Sequence, residues 1–259
     1  MTLEPKAVHR AARLLAQRRH SGEVGPRLPS DCRPRDLESA LAIQTAVTRE
    51  LNDDIAGWKC LQPTPDRLVV APLYAQDIHR ASPVSVWAPE SVARIEPELG
   101  FVLGRDLAHR GTPWTEPEVD EALAHTHLVL ELIGGRYADP ASADYPELLA
   151  DGLFNQGVFL GPEVDPQMAA EASTLEVSLT CRSAAPEQHS GCHPNGRPRA
   201  PVYWLAEFLR SRGLGLKAGD LVITGSYAGV LSAPLEEPVR VQFGDLGELG
   251  VAFKARMTG

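Results

Sequence analysis

After Asp54 the chain leaves helical spacing and never settles into an alternation of strand and helix. Residues 83–87, 94–103, 128–133, 157–160, 175–181, 221–224, 239–243 and 249–254 have the apolar make-up of strands. Residues 55–61 form a further short apolar run. Helical patterns interrupt at 116–124 and at 201–212, the latter with a proline at its start and Gly213 just past its end. A doubly wound parallel fold needs a helix after nearly every strand, and its nucleotide-binding forms need GxGxxG or GxxxxGK. The chain has neither, so the pattern predicts an α+β fold with a rolled or barrel-like sheet. Residues 244–247 read as a turn between the last two strands.

The front of the chain is helical. Val8, Ala11, Ala12 and Leu15 fall on one face of a helix over 5–19, with Pro5 in its first turn. Glycines and prolines make 21–35 a loop. Asp36 is placed to cap a second helix, whose Leu37, Leu41, Gln44, Val47 and Leu51 share a face. Gln44 is the polar exception in that stripe.

Composition narrows the partners. The formal net charge is -9 and no basic run stands out, which argues against nucleic acid. An acidic surface is also a poor trap for an anionic substrate, unless a bound metal supplies a local positive centre. The four cysteines form no CxxC pair, so reduced thiols in a cytoplasmic protein are expected. Charges throughout residues 1–22 leave no apolar core for a signal peptide, and no apolar run is long enough to span a bilayer.

Three acids stand in apolar surroundings. Glu96 and Glu98, in Arg94-Ile95-Glu96-Pro97-Glu98-Leu99, point the same way on a strand. Side by side they repel, unless one is protonated, a cation lies between them, or the strand is a solvent-facing edge, as Pro97 would permit. Glu131 lies within Leu128-Val129-Leu130-Glu131-Leu132-Ile133, a run expected to be buried on both faces. It needs a partner, either an arginine such as Arg136 or a shared cation. Three carboxylates from two strands suit a hard, oxygen-loving ion, Mg²⁺ or Mn²⁺.

Other candidates surround this set. Lys59 sits alone in Gly57-Trp58-Lys59-Cys60; buried, its lowered pKa would make it a base near neutrality, and otherwise it snorkels to the surface. Asp77 is another acid beside apolar residues, and Asp151 introduces a polar cluster with Asn155 and Gln156; either acid could be a turn or cap residue. His125 and His127 form an HxH pattern without a third zinc ligand at the usual spacing. Thr224 and Gly225 open a Gly-rich loop whose amides are suited to a carboxylate, while Gly225-Ser226-Tyr227-Ala228-Gly229 lacks the GxSxG of a hydrolase elbow. The Pro-, Gly- and His-containing stretch 184–199 reads as a lid or a surface excursion.

In order along the chain, Ala40-Leu41-Ala42-Ile43-Gln44, Gly57-Trp58-Lys59, Ile95-Glu96-Pro97-Glu98-Leu99-Gly100-Phe101-Val102-Leu103-Gly104, Leu130-Glu131-Leu132-Ile133, Arg136-Tyr137-Ala138-Asp139, the run 150–161 and Ala218-Gly219-Asp220-Leu221-Val222-Ile223-Thr224-Gly225 resemble the fumarylacetoacetate hydrolase superfamily. Within it they look most like the 2-keto-4-pentenoate hydratase and 4-oxalocrotonate decarboxylase branch. The resemblance implies a mixed β-roll core over 76–259 with a small N-terminal α+β region over 1–75. It implies Mg²⁺ or Mn²⁺ on Glu96, Glu98 and Glu131, with Lys59 and Asp77 as catalytic groups. Arg136, Asp151, Asn155, Gln156, Thr224 and Gly225 become the expected substrate contacts. A small 2-oxo acid substrate, a homo-oligomer, and no nucleic-acid or membrane partner complete the expectation. Water addition to a dienoate leads, with decarboxylation, C–C hydrolysis and a non-catalytic scaffold as alternatives.

The chain departs from the family in three places. Gln62-Pro63 stands where the family often has Thr-Ser. Gly134 stands where it often has Asp. Asp151-Gly152-Leu153-Phe154-Asn155-Gln156 stands where it often has Asp-Asn-Ala-Ser before the Gly of the next strand. All three fall where substrate is expected, so the metal set should match the family more closely than the substrate side.

Overall fold

The two front helices start and stop on local signals. In the computed structural model, which describes residues 3–65, 67–88 and 90–256, α1 (Pro5–Ser21) begins on a proline. It ends at Gly22, whose left-handed backbone returns an N–H to the Arg18 carbonyl. The side chain of Asp36 accepts from the Ser39 amide and caps α2 (Leu37–Leu51). Gln44 is buried, and its amide donates to the Val70 and Leu149 carbonyls. The polar exception in the stripe thus ties the helix to the sheet.

The strands follow: β1 (Ile55–Cys60), β2 (Val70–Tyr74), β3 (Ile78–His79), β4 (Val84–Val86) and β5 (Val92–Leu103). A short α3 (Glu116–Asp120), capped by a Thr115/Glu118 box, leads into β6 (Leu123–Ile133). The helix expected to reach 124 stops early because β6 pairs with β5 from Leu123 onward. Then come α4 (Tyr145–Ala150), β7 (Asn155–Glu163), α5 (Pro166–Glu171), β8 (Thr174–Cys181), β9 (Glu187–Cys192), α6 (Ala200–Ser211), β10 (Leu221–Ile223), β11 (Leu231–Pro234), β12 (Pro238–Phe243) and β13 (Gly247–Ala255). Strand β9 lies inside the stretch read as a lid or excursion; it is the edge partner of β8.

Among the described residues, eight strands form one sheet in the order β2-β1-β10-β5-β6-β7-β3, with β11 also on β5. A second sheet runs β4-β13-β12-β8-β9. The large sheet curls until β2 approaches β7, and Leu73 of β2 joins Val129, Val158, Leu160, Leu221 and Ile223 in a small apolar cluster on its inner face. The alternate residues, among them Leu99, Phe101, Leu128, Leu130, Leu132 and Val222, face the main core shared with the helices and the second sheet. Strand β6 is therefore buried on both faces, as its unbroken apolar run required.

The expected division at residue 75 cuts through this sheet. Strands β1 and β2 precede it and are integral members, with β1 hydrogen-bonded to β10 from the far end of the chain. Of the elements described within 1–75, the two helices lie outside the sheet. Gly57 explains how β1 and β10 pack: a Cβ there would lie 2.0 Å from the Leu221 carbonyl oxygen.

Candidate metal centre

Strand β5 is interior, which removes the edge-strand reading of Glu96 and Glu98. It pairs with β6 along its length, and on its other side with β10 at 100–102 and β11 at 92–95. Between those two partners the second side of β5 is open, and the loop after β10 fills the gap. The Tyr227 amide donates to the Pro97 carbonyl there. In a strand the N–H and C=O of one residue point to the same side, so the donor that Pro97 lacks falls toward the loop and not into the β6 ladder.

Cross-strand register assembles the site. Glu96 lies opposite Glu131, and Lys59 of β1 lies opposite Ile223 of β10. Glu96, Glu98, Glu131 and Lys59 thus stand together on the inner face, at one end of the small apolar cluster. The three glutamates each offer an oxygen, and these lie within 4.8 Å of one another. Glu98 is 2% exposed and Glu131 is 0% exposed. Lys59 donates to Glu131 Oε1 at 2.7 Å and to the Leu153 carbonyl at 3.1 Å. Asn155 Nδ2 donates to the same Glu131 oxygen at 2.9 Å. The partner of Glu131 is therefore Lys59, not Arg136. The Gly225 amide donates to Glu98 Oε2 at 2.7 Å, so the Gly-rich loop does bind a carboxylate, that of Glu98. A Cβ at Gly225, where φ is +105°, would lie 2.6 Å from Leu61.

The site holds more negative charge than its one ammonium can balance. Burial, then Glu131, raises Glu96 to about 7, partly offset by Lys59. Burial, Glu131 and Glu96 push Glu98 well above the usual carboxylate range. Burial on its own would lower Lys59, but Glu131, Glu98 and Glu96 more than offset it, and its pKa is raised. The expectation of a lysine lowered toward neutrality is corrected by these three neighbours. Glu131 Oε2 is buried with no hydrogen-bond partner among the described residues. An orphaned carboxylate oxygen beside two unbalanced carboxylates fits a divalent cation, which accepts hard oxygen ligands in such numbers.

The centre opens into a cavity of about 440 Å³. Cys60 lines it, but burial raises its thiol well above the ordinary range, so it is no nucleophile at neutral pH. Arg67, Tyr145, Leu148, Leu153 and Phe154 also line the wall. Arg67, Tyr145 and Leu148 were missed in the sequence because they come from a loop and a two-turn helix, neither of which has a hydrophobic period, whereas Leu153 and Phe154 fall in the departure already expected near the substrate. The Asp144/Glu147 capping box before Tyr145 was a readable signal for the helix alone.

The remaining expected contacts lie behind the wall. Arg136 and Asp151 form a buried pair, Nε to Oδ1 2.6 Å, with Arg136 also donating to the Gly134, Asp151 and Asn155 carbonyls. Neither lines the cavity. Gln156 ties Trp87 and Ile133 together through their backbones. Buried Thr224 meets His193 Nε2 at 3.3 Å, and burial lowers His193 to about 4. Asp77 is held by Arg19 at 2.9 Å. Arg19 Nη2 also lies 3.4 Å from Asn155 Oδ1, so Asp77 reaches Glu131 only through two intermediaries. His125 pairs with exposed Glu163 and His127 with the Gly161 carbonyl, apart from the three glutamates.

The family model described as fumarylacetoacetate (FAA) hydrolase C-terminal matches residues 35–258. The chain is 26% identical over 162 residues to the 2-keto-4-pentenoate hydratase of Paraburkholderia xenovorans (strain LB400), an alignment covering 62% of this chain and 59% of that protein. The match thus spans less than two thirds of that relative's length. It is 24% identical over 265 residues to the TodF product hydratase of Pseudomonas putida, covering 97% of each. Among solved structures, the 4-oxalocrotonate decarboxylase from Pseudomonas putida G7, complexed with magnesium and adipate, has a TM-score of 0.81 at 18% identity, covering 98% of this chain and 99% of that one. At that identity the likeness is one of fold, which is the curled-sheet α+β architecture described above. With the family model spanning residues 35–258, well over half of the chain, the chain belongs to the fumarylacetoacetate hydrolase family.

Proposed function

We propose that this chain is a metal-dependent lyase that adds water to a 2-hydroxy-2,4-dienoate or 2-oxo-alkenoate, in the manner of a 2-keto-4-pentenoate hydratase. The observation that carries the reading is the orphaned Glu131 oxygen, grouped with Glu96 and Glu98 at the end of a cavity. Glu96, Glu98 and Glu131 would hold Mg²⁺ or Mn²⁺, and the bound ion would supply Lewis-acid stabilisation of the charge that develops on a 2-oxo acid. Lys59, protonated and facing the same cavity, carries the proton exchanged between dienol and ketone. Asn155 orients Glu131, and the Gly225 amide orients Glu98. Asp77 acts at a distance by fixing Arg19 against Asn155.

A decarboxylase is the second reading, because 4-oxalocrotonate decarboxylase of a Pseudomonas species is 26% identical over 156 residues. Both reactions need the same centre, and CO₂ release separates them. We further propose a soluble, cytoplasmic homo-oligomer without nucleic-acid or membrane partners, which sedimentation at several protein concentrations would test. No helix among the described residues is long and apolar enough to cross a membrane.

The test is a titration of chelator-stripped protein with Mg²⁺ and Mn²⁺, with and without oxalate. Binding that oxalate tightens is expected, as is loss of dienol absorbance on turnover of 2-hydroxypenta-2,4-dienoate. Absence of binding by either ion would falsify the reading. A fully active Lys59→Met enzyme would remove the lysine's role alone.

A further inference from the structure

We propose that Phe154 limits the length of the tail the site accepts, by walling the cavity of the metal centre off from a second cavity on the same face of the sheet. The inference rests on the proposed metal centre and its 2-oxo acid, and it names the residue that bounds the rest of the ligand.

Strand alternation lays the two cavities end to end. Val92, Arg94, Glu96 and Glu98 share the inner face of β5, and Val129, Glu131 and Ile133 share that of β6. Register sets Glu96 opposite Glu131 and Arg94 opposite Ile133. The second pair is the next on that face, roughly 7 Å further along the strands. Glu96 and Glu131 line the cavity of the metal centre, whereas Val92 and Arg94 line a second cavity of about 350 Å³. Among the described residues, Ile133 and Phe154 alone line both. These two side chains are therefore the wall between them.

Ile133 belongs to the β6 ladder, while half-buried Phe154 stands on the turn before β7 and brings its ring to the wall. The Gly134 amide donates to the Phe154 carbonyl at 2.7 Å. The ring lies against Gly135, where a Cβ would come 3.0 Å from Cδ1. Phe154 keeps this place at a φ of +67°, a conformation that costs any residue but glycine. Beyond the ring, Val24, Val92, Tyr137 and Pro140 offer apolar surface. A hydrocarbon tail running from the metal centre along the inner face past Ile133 meets the ring first. Without the ring it would continue into the second cavity and bury further methylenes there.

Saturated 2-oxo acids lack the alkene to which water would add, so binding is read apart from turnover. Isothermal titration of the Mg²⁺-loaded protein would compare 2-oxopentanoate with 2-oxooctanoate, each measured against oxalate, which has no tail and reports the centre alone. Phe154→Ala is expected to raise the preference for the longer acid at least about tenfold over the wild type, the effect of burying roughly two more methylenes. Phe154→Gly suits the positive φ and should show the same gain, which keeps the test open if the alanine variant is unstable. Adding Val92→Phe, which fills the second cavity from β5, should reverse the gain. An unchanged length preference in the Phe154 variants overturns the proposal. So does a gain that Val92→Phe leaves intact, because the tail then lies elsewhere. Loss of oxalate binding in the Phe154 variants alone would make the ring a support of the centre and overturn it too. In each of these cases oxalate binding by the wild type leaves the proposed function standing. Failure of oxalate to bind the Mg²⁺-loaded wild type overturns the inference and the proposed function together.

Discussion

Glu131 has one oxygen shared by Lys59 and Asn155 and another with no partner, and that asymmetry sets what its loss should do. Glu131→Gln is expected to weaken Mn²⁺ binding by more than about 100-fold, beyond what loss of a supporting hydrogen bond costs. Titration calorimetry reads this directly. Proton competition sets the pH dependence. Glu96 is raised to about 7, so below that pH a proton occupies the carboxylate a cation needs. Affinity should therefore rise as pH goes from 6 to 8, with protons released on binding; a flat profile would contradict the shift. His193 gives a separate signal in stability. Its folded value, about 4, lies below the ordinary 6.5, so between those values the unfolded chain binds the extra proton. Stability is intact above pH 6.5 and falls as pH drops toward 4, by up to about 3 kcal/mol. Urea melts of His193→Asn should show a shallower slope over that window than the wild type.

At the scale of elements, the turn between α4 and β7 carries the strain. Gly152, Leu153 and Phe154 all have positive φ, two of them without the glycine's freedom. The turn presents the Leu153 carbonyl to Lys59 and the Phe154 ring to the cavity. Arg136 holds it by bonding Asp151 and the carbonyls on either side of the strained residues. Arg136→Met leaves Asp151 buried without its partner and should cost about 3–5 kcal/mol in urea unfolding. The double variant with Asp151→Asn should recover part of that loss. Gly57→Ala acts on β1 instead. Its Cβ would meet the Leu221 oxygen at 2.0 Å, so the strand must move, at a cost of at least about 2 kcal/mol. Because Lys59 is two residues away, metal affinity should fall with stability.

At the scale of the whole molecule, the curled sheet brings Lys59 of β1 and the three glutamates of β5 and β6 to one end of its inner face. An ion that binds only the folded arrangement must stabilise it, by about 2.7 kcal/mol at a hundred times its dissociation constant. Thermal melts at rising Mn²⁺ should move upward by this law, and Glu131→Gln should abolish the movement. The sequence by itself determined much of this. The two-residue period put Glu96 and Glu98 on one face, the unbroken apolar run required Glu131 to be buried, and the cap at Asp36 marked a helix start. Each is a local rule acting over a few residues. Other outcomes came only with the tertiary structure. Whether Pro97 meant an edge depended on which strands flank β5. The choice of Lys59 over Arg136 as the partner of Glu131, the rise of Lys59 rather than its fall, and the place of β1 and β2 in the large sheet depended on residues far apart in the chain. Burial and charge act through space, and sequence spacing does not record the distances that decide them.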